Sequence, residues 1–272
     1  MNWIAYLIVS ATGICIGSFL NVVIFRYNSG MTMAGHSRCL SCGKRLSWLM
    51  LVPLLSYLFA RGRCRYCGVR VSVQYPVVEA LAGGLFALAY WHSGIDIARA
   101  LPDTLAIGRL ALDLILLSLL LAIAVYDLRH KIIPDLFAFL FGLTAFIRFV
   151  FSAWLMTHSF AFLSTHTFLI DLSAGFWIPL PFALMWLLSR GRWMGLGDAK
   201  LSVGIGWMLG LYVAITSTIL AFWSGAIVGI VLLSLRRHAY TMKSEIPFGP
   251  FLIATAIVMY LYPMDIPGLS HF

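Results

Sequence analysis

Apolar positions along this chain come in long continuous stretches, and polar ones are gathered into the short segments between them. The stretches do not alternate apolar with polar as a half-buried strand does, and most approach the ~20 residues that carry a helix across a hydrocarbon core of about 30 Å. Helices are predicted over 2–25, 76–92, 104–126, 132–150, 166–189, 199–213, 215–235 and 247–263. In lipid every backbone amide must be paired within the chain, so continuous apolar runs of this length mean helices. The first helix is predicted to remain uncleaved, because it has neither a basic start nor a small-residue cleavage site. Only 26–75 is both long and hydrophilic. The organisation is then a first transmembrane helix (1–25), a loop domain (26–75) and a multi-helix membrane domain (76–272). The expected class is an all-α polytopic membrane protein of about eight transmembrane helices with a small cytoplasmic zinc-binding insertion.

Composition agrees with lipid as the solvent: 61% of the 272 residues are hydrophobic and 11% charged, against roughly 45–50% and about 25% in soluble chains. A net charge of +9 raises nucleic acid as a partner, but the placement of the charges argues for topology instead. Arg26, Arg38, Lys44, Arg45, Arg61, Arg63, Arg65 and Arg70 lie in the first loop. Arg129, Lys131, Arg190, Arg192, Lys200, Arg236, Arg237 and Lys243 lie in other loops on the same side. Arg99, Arg109 and Arg148 fall toward the opposite side. The positive-inside rule puts the rich side in the cytoplasm and both termini in the periplasm. Within the first loop, Trp48 to Ala60 is apolar but too short to span, and reads as an interfacial or packed segment lying against the membrane, broken by Pro53. No convincing internal repeat is evident.

Cys39, Cys42, Cys64 and Cys67 form two Cys-x2-Cys pairs with 21 residues between them. Each pair places two thiolates on one ion and the intervening segment brings the second pair round, the pattern of a structural tetrahedral Zn²⁺ site. The glycine after each pair suits a sharp ligand turn. Disulfides are disfavoured in a reducing cytosol. Cys15, alone on an apolar helix, is expected to be an inert core residue.

With ten acidic residues, each carboxylate can be weighed. Asp127 closes the third helix, and Asp198 follows Gly195-Leu196-Gly197 just before the sixth. Packed together, two such helix ends can present two carboxylates that share a proton. One then activates water and the other protonates a carbonyl oxygen. A solvated anchor at a helix end is the plainer reading of either aspartate alone. Asp113 is expected to pair with Arg109 one turn away. Intramembrane charge also keeps two other classes in view: an ion-coupled transporter, and a non-catalytic assembly anchor.

The ordered set of motifs resembles the bacterial type IV prepilin peptidase family of membrane aspartic peptidases. It comprises Gly17-Ser-Phe-Leu-Asn-Val-Val-Ile-Phe-Arg26, the paired Cys-x2-Cys, Gln74-Tyr-Pro-Val-Val-Glu79, Asp127 with Ile133-Pro134-Asp135, Gly195-Leu-Gly-Asp198-Ala-Lys200, and Ile246-Pro-Phe-Gly-Pro-Phe251. The resemblance implies that Asp127 and Asp198 are the catalytic pair, with Gly195, Gly197, Lys200, Asp135 and Glu79 in support. It implies an endopeptidase of the inner membrane that removes a short basic leader from prepilins and pseudopilins at the cytoplasmic face. It also implies N-methylation of the new terminus with S-adenosylmethionine as donor, whose binding residues the sequence does not reveal. Asp135 and Lys200 are expected to orient the pair or to mark the interface. His36, His130 and His238 are expected on the cytoplasmic side. Pro247 to Pro250 is read with equal weight as a helix entry and as a wall of the substrate cleft.

Overall fold

The structure is a computed structural model that describes residues 3–30, 32, 35–95, 104–157, 163, 165–234 and 247–264. Arg99, Arg236, Arg237, His238, Lys243 and Ile246 lie outside the described residues. The chain divides into two compact units, Met1–Ile107 and Gly108–Phe272.

In the first unit α1 (Trp3–Arg26) packs along α3 (Gln74–Ser93). Between them lies the hydrophilic loop, with a 3-10 turn at Trp48–Leu51 and the short α2 (Leu55–Phe59). Small residues let the two long helices close. A Cβ added at Gly17 would stand 2.8 Å from Ala82 Cβ and from the Glu79 Cα. One added at Gly13 would stand 2.7 Å from the Ala82 carbonyl oxygen. Close backbone approach of this kind replaces the hydrophobic drive that lipid does not supply between helices. Polar contacts fix the register: Ser10 Oγ donates to the Gly83 carbonyl at 3.2 Å and Asn21 Nδ2 to that of Tyr75 at 3.1 Å. The buried stripe of α1 runs through Val9, Gly13, Gly17, Leu20 and Ile24. Cys15 is off that stripe and exposed, so the expectation of a core cysteine is corrected: at about 100° per residue it faces away from α3.

The second unit holds α4 (Thr104–His130, whose first turn precedes the boundary), α5 (Asp135–Thr157), α6 (His166–Trp177), α7 (Pro179–Ser189), α8 (Leu196–Leu209), α9 (Leu211–Ser234) and α10 (Gly249–Leu261). Each of the eight expected helices has a counterpart. Among the described residues, five segments are long and apolar enough to cross a membrane: Trp3–Arg26, Thr104–His130, Asp135–Leu155, His166–Ser189 and Leu211–Leu232. Helix α8 is the hub, packed by α5, α6, α7, α9 and α10. Glycines make that crowding feasible. A Cβ on Gly206 would meet the Ala174 carbonyl at 2.7 Å, and one on Gly204 the Phe141 ring at 2.5 Å.

Two boundaries differ from the sequence expectation. The predicted helix 166–189 is divided at Ile178, where Pro179 and Pro181 remove backbone donors. The predicted 199–213 starts and stops earlier, because Gly210 at φ +78 breaks the chain and the Asp171 carboxylate accepts the Leu211 N–H at 3.0 Å to start α9. Asp113 is corrected too. Its ion-pair partner is Arg148 of α5 rather than Arg109. The Arg148 guanidinium also donates to the Met208 carbonyl at 3.3 Å and lies 5.5 Å from the centre of the Tyr260 ring.

Candidate functional site

Four helix ends of the second unit build one site. Helix α4 carries Asp127 in its last turn and ends where Lys131 turns left-handed at φ +55. Ile133-Pro134 then leads into α5, whose first residue is Asp135. Gly195 caps α8 and sets Asp198 in its first turn. Gly249 and Pro250 open α10. Asp127 and Asp198 are buried, at 4% and 8% exposure, and close enough for the charge on one to act on the other.

Three neighbours hold that meeting. The Gly249 N–H donates to the Asp127 carboxylate. A Cβ at Gly249 would stand 2.5 Å from Asp127 Oδ2, so only glycine lets the backbone come this near. Ile133 wedges between the elements: it would lie 2.8 Å from a Cβ at Gly197 and 3.3 Å from one at Gly249. On the outer side Lys200 donates to Asp135 at 2.7 Å and ties the start of α8 to the start of α5. Both partners are exposed, so the pair marks the helix-end junction and adds little energy. Gly195 is less tightly placed, its added Cβ being 3.9 Å from Asp198 Oδ2. The His130 ring lies tilted against that of Tyr126, centroids 4.4 Å apart.

Gly249 and Ile133 belong to motifs the sequence displays, yet neither stands out as a site residue there. The signal is the Pro-Phe-Gly-Pro run, where a glycine between prolines marks a backbone with something close against it. The chemistry of the site is that of two buried carboxylates, one held by a backbone donor, at a junction of helix ends.

Glu79 belongs to the first unit, where its buried carboxylate accepts the Leu54 N–H at 2.8 Å. In the same unit the four cysteines converge, with all ligand atoms within 4.8 Å of one another. Here the structure reveals a short repeat. Arg38 to Arg45 and Arg63 to Arg70 each form an antiparallel bridge. In each, the glycine N–H returns to the first cysteine carbonyl at 2.9 Å, and the first cysteine N–H donates to the residue after the glycine, at 3.0 and 2.8 Å. Gly43 and Gly68 make the turns at φ +69 and +72. Backbone N–H groups of Cys42 and then Ser41 pull the Cys39 thiol down to about 6. A tetrahedral zinc with sulfurs at about 2.3 Å separates them by about 3.8 Å, and Cys39 and Cys67 Sγ stand 3.8 Å apart. The donor set fits the ion. His36 is exposed and is not needed to complete four ligands.

Comparison with known proteins follows the same division. Residues 11–93 match the bacterial peptidase A24 N-terminal domain, and residues 114–230 match the type IV leader peptidase family. A prepilin leader peptidase/N-methyltransferase of Pseudomonas putida is 30% identical over 303 residues, covering 96% of this chain and 93% of its own length. One of Vibrio cholerae is 30% identical over 278 residues, covering 96% and 98%. One of Myxococcus xanthus is 35% identical over 226 residues, covering 81% of this chain, which spans 61% of that relative's length. No solved structure matches the chain significantly.

Proposed function

The chain belongs to the type IV leader peptidase family, and from that premise we propose that it is a membrane aspartic endopeptidase that removes the basic leader of prepilins or pseudopilins. The observation that carries this reading is the convergence of Asp127 and Asp198 with Gly249, Gly197 and Ile133 at one junction of helix ends. The reaction uses the two carboxylates with one proton between them. The ionised member takes a proton from water as the water oxygen bonds to the scissile carbonyl carbon, and the protonated member gives its proton to the carbonyl oxygen. The carbon–nitrogen bond then breaks as the amine leaving group takes up the proton first removed from water, while a hydroxyl of the tetrahedral intermediate returns its proton to the other carboxylate as the carbonyl re-forms. The Gly249 N–H keeps Asp127 oriented through the cycle.

The lysines and arginines support a topology in which the cysteine loop and the helix ends bearing Asp127 and Asp198 face the cytoplasm and both termini face the periplasm. The membrane is then the bacterial inner membrane. N-methylation of the new N-terminal amine is the second activity, in line with the names of the relatives. S-adenosylmethionine supplies the methyl group. Zn²⁺, held by Cys39, Cys42, Cys64 and Cys67, is structural, because four thiolates leave no position for a reacting water. The carboxylate that gave weight to a transporter, Asp113, has its charge matched by Arg148 inside the unit.

The test is mass spectrometry of a prepilin N-terminus after incubation with the purified enzyme, with and without S-adenosylmethionine. Asp127→Asn and Asp198→Asn are each expected to abolish leader removal, and wild type to add one methyl when the donor is present. Normal cleavage by either variant would remove the dyad assignment.

A further inference from the structure

The stretch 48–60 of the first unit presents an exposed face. Trp48, Leu49, Leu51, Leu55, Leu58 and Phe59 are all exposed, Trp48 at 74% and Phe59 at 76%. They are not on a loose strand. The 3-10 turn and α2 meet at Leu54, whose φ +60 and ψ −54 make a γ-turn of the strained hand, closed by Leu55 N–H to Pro53 oxygen at 2.6 Å. What holds this turn is Glu79, the α3 carboxylate that accepts the Leu54 N–H. Since α3 lies along α1, a helix long and apolar enough to span, the exposed face is pinned to a helix packed against a candidate membrane span.

The charge beside the face has one sign. Arg61, Arg63, Arg65 and Arg70 follow α2 and are exposed. Arg65 also borders a shallow apolar cleft of about 230 Å³ lined by Leu49, Met50, Val52, Leu55 and Phe59. No acidic residue precedes Glu79 in the chain, so a basic peptide would be repelled here. A contiguous set of exposed aliphatic and aromatic side chains marks a binding surface. A partner with an apolar interior beneath a negatively charged plane is an anionic phospholipid leaflet.

We propose that the cysteine loop docks on anionic phospholipid through the Trp48–Phe59 face, with Arg61, Arg63 and Arg65 on the headgroup phosphates. Glu79 is then a positioning residue for that docking. The docking stands independently of which bond the enzyme cuts.

The full chain is reconstituted into nanodiscs of phosphatidylcholine alone or with added phosphatidylglycerol, and amide hydrogen exchange is followed over 48–60. Exchange there is expected to be about tenfold slower in the anionic discs. The variant Arg61→Gln/Arg63→Gln/Arg65→Gln brings it back to the phosphatidylcholine rate. Peptides covering 37–46 report in the same run that the cysteine cluster is intact, and Phe59→Ser repeats the test without touching a charge or a knuckle. Its protection in anionic discs is expected to fall. Equal exchange in the two discs overturns the proposal. So does protection that appears only when a prepilin is added, which would assign the face to the substrate.

Discussion

Gly249 and Gly195 both flank the carboxylate pair, yet the spaces around them differ. An alanine Cβ at Gly249 would come within 2.5 Å of Asp127 Oδ2, and one at Gly195 would have 3.9 Å to Asp198 Oδ2. Overpacking of the first kind costs about 1–3 kcal/mol, roughly ten- to a hundredfold in rate when it falls on the reacting group. Gly249→Ala is therefore expected to lower thermal stability by about that energy and kcat for leader cleavage by about that factor, and Gly195→Ala to lower kcat by less than about threefold. Equal losses would mean that both glycines act through helix entry and not through contact with the carboxylates. Asp113 makes a different case. Asp113→Asn strands the Arg148 guanidinium among buried groups, a change that costs about 3–5 kcal/mol when a buried pair is broken. Replacing both partners with apolar residues is expected to restore most of that, and thermal melts of the two variants in detergent decide it. A single variant as stable as wild type would show that Tyr260 and the Met208 carbonyl suffice for Arg148.

At the scale of elements, α9 begins where a residue forty positions earlier tells it to. Asp171 Oδ1 accepts the Leu211 N–H, and a Cβ on Gly210 would be only 2.6 Å from that oxygen. Asp171→Ala is expected to destabilise the second unit by about 0.5–2 kcal/mol, the usual worth of a helix cap, read from thermal unfolding. The same contact explains what the sequence could and could not reveal. Apolar length located the helices outside the first loop, though not the division at Ile178, because length against a hydrocarbon core is a local property. The break at Gly210 was misplaced because its cap comes from another helix. The motifs around Asp127 and Asp198 are legible because each is local, and the resemblance pairs them, whereas the fit of Gly249 against Asp127 joins segments far apart in the chain. Asp113 was given Arg109 because only the i–4 neighbour is visible along one helix, while Arg148 is brought in by packing. The repeat around the cysteines was present in the residues, as Arg-Cys-x2-Cys-Gly-x-Arg twice over. Its meaning comes from matched backbone hydrogen bonds, which no composition displays.

For the whole molecule, the division into two units predicts that loss of the metal is felt unevenly. Among the described residues between 25 and 77 none is a buried apolar side chain, so the cysteine loop has almost no core with which to offset the entropy of ordering it. Its order rests on the two knuckles, the Glu79 contact and whatever holds the four sulfurs together. A structural zinc contributes about 10–16 kcal/mol of apparent binding free energy to such a module. The second unit is built otherwise, around fully buried side chains such as Leu116, Leu120, Phe141, Phe182, Leu201 and Ile205. Treating the detergent-solubilised enzyme with a strong chelator is therefore expected to release one zinc per chain. Amide exchange over 37–71 should accelerate by about two orders of magnitude or more, while peptides from 116–123 and 201–208 keep their protection. Cys39→Ser should reproduce the chelator's pattern without it. Parallel loss of protection in both sets would mean that the loop's order is required for the helices around Asp127 and Asp198. Unchanged exchange in the loop would mean that backbone hydrogen bonds, and not the metal, hold the knuckles.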